Sequence, residues 1–199
     1  GGIVRPLILA LLTPDNPPLA TGMAVTHQQL THRSEMVAAS LSVLIPMLLR
    51  LVKGEAVEDV IRDTAPLVHV PELTGDDLTR EYREAKGPGN IAHQRMWRMH
   101  MGYNGMASEL LEAPGERTPD DLPGPYARAC YPEHGLPLML RIAHYNRGDL
   151  IQSLCDNANI GGDTVHRGMI LGLLLGASSQ SIDPALKRGL VHHDRIEQE

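Results

Sequence analysis

Asn159-Ile160-Gly161-Gly162-Asp163-Thr164-Val165-His166-Arg167-Gly168 is the stretch on which the fold of this chain turns. Two consecutive glycines let the backbone turn tightly, and polar residues then open a helix. Asp163 falls at the N-cap, with Thr164, His166 and Arg167 in the first turn. A capping Asp accepts backbone N–H groups and stabilises a helix by roughly 1 kcal/mol. The other reading is a metal- or anion-binding helix start, where a carboxylate and backbone groups converge. On the residues alone the cap is favoured. Arg167, four residues along, is placed to neutralise the Asp163 carboxylate. Gly168, Gly172 and Gly176 then recur every fourth residue, a spacing that predicts close contact with a neighbouring helix.

Outward from this block, helical signals dominate. Three helices follow one another in the tail, over Leu136–Asn146, Asp149–Asn157 and Asp163–Ala177. A last one starts at Asp183-Pro184, a cap followed by Pro at the first helical position. Near the N-terminus, Ile3–Leu12 reads as a short apolar helix ended by the breaker cluster Thr13-Pro14-Asp15-Asn16-Pro17-Pro18. Thr31 and Ser34 compete as caps for a long helix running to about Lys53. Its apolar positions Val37, Leu41, Leu44, Ile45 and Leu48 have helical spacing, and Pro46 should kink it. Gly54 stops that helix, and another covers Glu55 to about Val68. The middle holds a polar helix over Asp76–Lys86, a patterned segment over Ile91–Leu111, and a Pro/Gly-rich loop over residues 113–125. No segment alternates with strand periodicity. The fold class is all-α, with residues 1–199 as one domain.

Composition agrees. Phe is absent and aromatics make up 3% of the 199 residues, so Leu, Ile, Val, Met and Ala must fill the core. Such cores suit closely packed helices better than sheet sandwiches. A net charge of −6 and a pI near 5.9 argue against binding nucleic acid through its phosphates. Cys130 and Cys155 are the only cysteines, too few for a disulfide framework and in keeping with a reducing compartment. The longest apolar runs, Leu7–Leu12 and Met169–Leu175, are far shorter than a membrane span. The expectation is a soluble intracellular domain with no membrane insertion.

The ordered motifs resemble the ADP-ribosylglycohydrolase (ADP-ribosyl-acceptor hydrolase) family. Its C-terminal signature is Gly-Gly-Asp-Thr-Asp-Thr, opening a small-residue helix that ends in Gly-Ala. Gly161-Gly162-Asp163-Thr164 match it, and Gly176-Ala177 close the helix. Thr31-His32 resemble the family's Thr-His helix start. Gly1-Gly2-Ile3-Val4-Arg5 resemble the end of its Gly-Asn-Gly-x-x-Met-Arg loop, and Leu136-Pro137 the segment preceding the signature. The glycine–aspartate block is specific, whereas the others persuade by their order.

The resemblance implies an all-α fold with two Mg²⁺ ions in a central cleft, hydrolysing glycosidic bonds to ADP-ribose. It implies metal ligands from an N-terminal Thr-Asp-Asp and a Glu, and from the C-terminal Asp-Thr-Asp-Thr. Two departures stand out. The chain starts where the phosphate-binding loop ends, so the expectation is a C-terminal portion of the domain without the Thr-Asp-Asp block. The last two positions of the metal block are Val165 and His166. Valine cannot ligate Mg²⁺, and imidazole is a poor partner for that hard ion. Asp163, with Thr164 beside it, therefore reads as a vestigial metal position. Thr31, His32, Gly161, Gly162, His166 and Arg167 are the ligand-binding candidates.

Other constellations carry less. His93, Trp97 and His100 share a helix face, with Met96, Met99, Met101 and Met106 around Trp97 as adaptable packing. His192-His193-Asp194 lacks His-Glu-x-x-His spacing, and consecutive helical residues point apart. Neither Cys has an obvious base beside it, no Gly-x-Ser-x-Gly occurs, and no catalytic residue is assigned. Two functions compete: a degenerate, non-catalytic structural or interaction module, and the C-terminal part of a Mg²⁺-dependent hydrolase. The first needs no cofactor for this chain alone; the second needs Mg²⁺. Apolar helix faces left uncovered by a missing N-terminal half imply a protein partner, or that half as a separate chain. An ADP-ribose-type ligand is compatible with both.

Overall fold

The computed structural model describes residues 1–68, 111, 122–124, 126–128, 130–179 and 182–198. Among these, regular structure is helical throughout, as the patterning predicts. Four helices precede the undescribed middle: α1 (Val4–Ala10), α2 (Pro17–Gln29), α3 (Glu35–Val52) and α4 (Val57–Thr64), the last continued by a 3₁₀ turn over Ala65–Leu67. Five follow it: α5 (Pro132–Tyr145), α6 (Leu150–Ile160), α7 (Thr164–Ser178), α8 (Pro184–Arg188) and α9 (His193–Gln198).

Helix α3 is the centre of the bundle, touching α1, α2, α4, α5 and α7. Ser34 caps it, its hydroxyl accepting from the Val37 N–H, which decides between the two candidate caps. Leu41, Leu44, Ile45, Leu48 and Leu51 are fully buried, each contributing roughly 1.5–3 kcal/mol relative to exposure. Pro46 removes one backbone donor without ending the helix. By length and composition α3 could cross a membrane, a feature that the short apolar runs of the sequence do not show. Here its apolar side is core. Gly54, at φ +87°, turns the chain out of α3, and Arg50 bonds both Glu55 and Asp63 to tie α3 to α4.

Several boundaries differ from those read in the sequence. The breaker cluster Thr13–Pro18 proves to be the start of α2: Asn16 accepts from the Leu19 N–H, and Pro17 and Pro18 occupy the first turn. Proline suits that position because the N–H it lacks would be unsatisfied anyway. Helix α4 starts two residues later than expected. Helix α5 starts four residues earlier, at Pro132, and runs through Pro137. Helix α6 runs from Leu150 to Ile160, three residues beyond the expected end, with Asp149 as its cap.

The glycine stripe on α7 also needs correction. A side chain on Gly168 would sit 3.1 Å from Asn157 Nδ2, a close contact with α6. Among the described residues, Gly172 has nothing within 4 Å, and Gly176 meets Ile182 Cδ1 alone, at 3.9 Å. Against the described residues, close packing on glycine therefore holds at one position of three. Asp183 caps α8 as expected, accepting from the Ala185 N–H at 2.7 Å. The expected helices over 76–86 and 91–110, with His93, Trp97, His100 and the methionines, lie outside the described residues. Of the 113–125 loop, residues 122–124 are described and form a turn.

Candidate functional site

The glycine–aspartate block is built as a joint between three segments. Gly161 ends α6 at φ +76° and ψ −161°, and Gly162 follows at φ +68°. Only glycine adopts the first conformation readily, and a Cβ on Gly162 would overlap the carbonyl oxygen of Arg128. That carbonyl accepts the Asp163 N–H at 2.9 Å. The block is thereby fixed to the segment before α5, a contact absent from any local pattern.

Asp163 occupies the N-cap of α7, as the sequence predicts, but its principal partner is unexpected. The His166 N–H approaches its Oδ1 at 3.4 Å, a long bond. The His166 ring Nδ1 lies 3.0 Å from both Oδ1 and Oδ2. The carboxylate is 17% exposed and the imidazole 46%.

Arg167 does not pair with Asp163, contrary to the expectation from i, i+4 spacing. It is 4% exposed and turns toward α6. Its Nε donates to Asn157 Oδ1 at 2.8 Å and its Nη2 to the Gly161 carbonyl at 2.7 Å. A longer contact reaches the Arg128 carbonyl. Burial lowers the guanidinium's pKa below its ordinary value, with Asp163 acting at a distance in the opposite sense. An arginine so used braces the joint, while part of its side chain also lines the neighbouring cavity. Asn157 completes the brace, its Nδ2 donating to the Thr164 carbonyl at 2.8 Å.

The turn between α2 and α3 brings the second predicted group to the same place. His32 Nδ1 lies 2.9 Å from Thr31 Oγ1, and its ring covers Gly2, where a side chain would sit 2.9 Å from Cγ. The point where a Cβ on Gly1 would stand is 3.6 Å from His32 Nε2 and 4.0 Å from His166 Nε2. Residues about 130 positions apart in sequence thus flank one point.

Beside it opens a cavity of about 210 Å³. Ile3, Leu44, Leu136 and Met139 line it with apolar surface, while His32, Asp163 and His166 supply polar atoms. Thr31, Thr164, Gly161 and Gly162 do not line it; they position the residues that do. Cys130 and Tyr131 also line it, and the sequence carried no signal for either. The sequence carried no signal either for His134, which is fully buried on α5. Its Nδ1 accepts the Ala127 N–H at 2.9 Å, and burial pushes its pKa down to about 4.

A Mg²⁺ pair does not fit these residues. Mg²⁺ requires near-octahedral oxygen ligation, yet both Asp163 oxygens face His166, and Val165 has no donor. No group of three or more His, Cys, Asp or Glu that could hold a metal occurs among the described residues.

Residues 1–198 match the family model described as ADP-ribosylglycohydrolase. No curated protein and no solved structure matches the chain.

Proposed function

The chain belongs to the ADP-ribosylglycohydrolase family, and we propose that it serves there as a non-hydrolytic binding and interaction module. One observation carries this reading: the carboxylate retained from the metal block is engaged on both oxygens by His166, which stands where the family has Thr. The neighbouring position, where the family has its second Asp, is Val165, 64% exposed.

The cavity supports a ligand role without chemistry. At about 210 Å³ it is smaller than the roughly 300–1,000 Å³ usual for whole drug-sized ligands. It would take one moiety of an ADP-ribose-type ligand, with apolar walls around a ring and His32 and His166 at the polar end. Ile8, Leu12, Val165 and Met169 are exposed apolar side chains that a protein partner would cover. Cys130 and Cys155 are both unpaired, which suits a reducing compartment.

The test is direct. The full chain is incubated with a mono-ADP-ribosylated peptide and millimolar Mg²⁺, and released ADP-ribose is measured. No release above the uncatalysed rate is expected. Mg²⁺-dependent release that Asp163→Asn abolishes would establish the hydrolase reading instead.

A further inference from the structure

We propose that His32 and His166 form a two-imidazole site for a borderline divalent transition metal, of which Zn²⁺ is the representative. Such a site differs from a Mg²⁺ centre in both ion and donors, and is independent of whether the cavity takes an ADP-ribose-type ligand.

Three features converge. Each ring has its Nδ1 engaged: His166 against the two oxygens of Asp163, and His32 against Thr31 Oγ1. In each the remaining nitrogen, Nε2, lies within 4.0 Å of one shared point beside Gly1. Metal-binding histidines characteristically give their other ring nitrogen to a carboxylate, a carbonyl or a similar acceptor, which fixes the tautomer and raises ligand basicity. Asp163 does this for His166, placing the lone pair on Nε2. The Thr31 hydroxyl can rotate to accept from His32 in the same sense.

The rings are carried by different elements, the α2–α3 turn and the first turn of α7. Both are exposed, so small rotations can close them on an ion without disturbing the core. Imidazole donors select the Zn²⁺, Ni²⁺ and Cu²⁺ class over Mg²⁺ and Ca²⁺. With two protein donors, water would complete the coordination, so the site is open and its affinity moderate. The other histidine pair, His192 and His193, is built differently: His192 sits at φ +69° in a turn, and His193 begins a separate short helix.

The experiment is calorimetric titration of the full chain with Zn²⁺, alongside NMR of the histidine ring nitrogens. One equivalent should bind, perturbing the Nε2 resonances of His32 and His166. His32→Gln and His166→Gln should each weaken binding at least tenfold, and Asp163→Asn should weaken it roughly 10–100-fold through the ring it orients. Replacing His192 and His193 together by Gln should leave binding unchanged, and millimolar Mg²⁺ should not compete. Circular dichroism of each variant verifies folding. The proposal is overturned if Zn²⁺ does not bind at submillimolar concentrations, if binding survives both single variants, or if it is lost with the His192/His193 pair.

Discussion

His166 Nδ1 lies 3.0 Å from each carboxylate oxygen of Asp163, so a side chain from the fourth position of the block closes over the one from the first. The pair leaves Asp163 two structural duties, capping α7 and orienting the ring. Asparagine can perform the first, since it caps about as well as aspartate. Asp163→Asn should change unfolding free energy by less than about 1 kcal/mol in urea denaturation, whereas Asp163→Ala should cost about 1 kcal/mol or more. A loss of several kcal/mol in the Asn variant would show that the charge itself holds the joint.

Arg167 is the opposite case. Its donors satisfy Asn157 and the Gly161 carbonyl inside the protein, and truncation strands those acceptors. Arg167→Ala should destabilise by roughly 3–5 kcal/mol, within the range for breaking buried charged networks. Lysine should rescue little, because a point charge cannot reproduce the planar fork. Full stability in Arg167→Lys would contradict this.

Two glycines in one segment should respond with opposite signs. Gly162→Ala meets the Arg128 carbonyl and a positive φ, so a loss exceeding about 2 kcal/mol is expected from strain at that position. Gly172 lies inside α7, and no described residue comes within 4 Å of where its Cβ would stand. Alanine there should stabilise by up to about 1 kcal/mol through helix propensity. Denaturation midpoints of the two variants decide the matter.

Acid should weaken the fold through His134. Burial depresses its pKa from 6.5 to about 4, so the unfolded chain binds a proton that the native state refuses. Its contribution is fully present above pH 6.5 and is lost as pH falls toward 4. The size is on the order of 3 kcal/mol. Buried Glu133, whose pKa is raised, acts in the other direction, favouring the fold at low pH. His134→Asn retains an acceptor for the Ala127 N–H without the titration. Its stability should vary less than the parent's between pH 6.5 and 4.5; equal slopes would remove His134 as the cause.

What the sequence revealed follows the range of each interaction. Caps are local, so Ser34 (as one of two candidates), Asp163 and Asp183 were legible, as was the apolar face of α3. Helix α2 was not, because its buried positions are Ala20, Ala24 and Gln28, a stripe with little hydrophobic contrast, and its prolines read as a break. At the site, the resemblance brought Thr31-His32 and Gly161–Thr164 into view. The partner of Arg167 stayed hidden: i, i+4 spacing points to Asp163, while the choice was made by Asn157 and by the Arg128 carbonyl, 39 residues away. Tyr131 and Cys130 reach the cavity by the same long-range packing.

The most direct measurement is the melting temperature of the full chain and of Asp163→Asn as Mg²⁺ is raised to millimolar concentrations. Binding to the native state alone raises stability by RT ln(1 + [L]/Kd), so a working Mg²⁺ pair must register. The account predicts no Mg²⁺-dependent rise in either protein. A gain of several degrees in the parent chain, lost in Asp163→Asn, would contradict it.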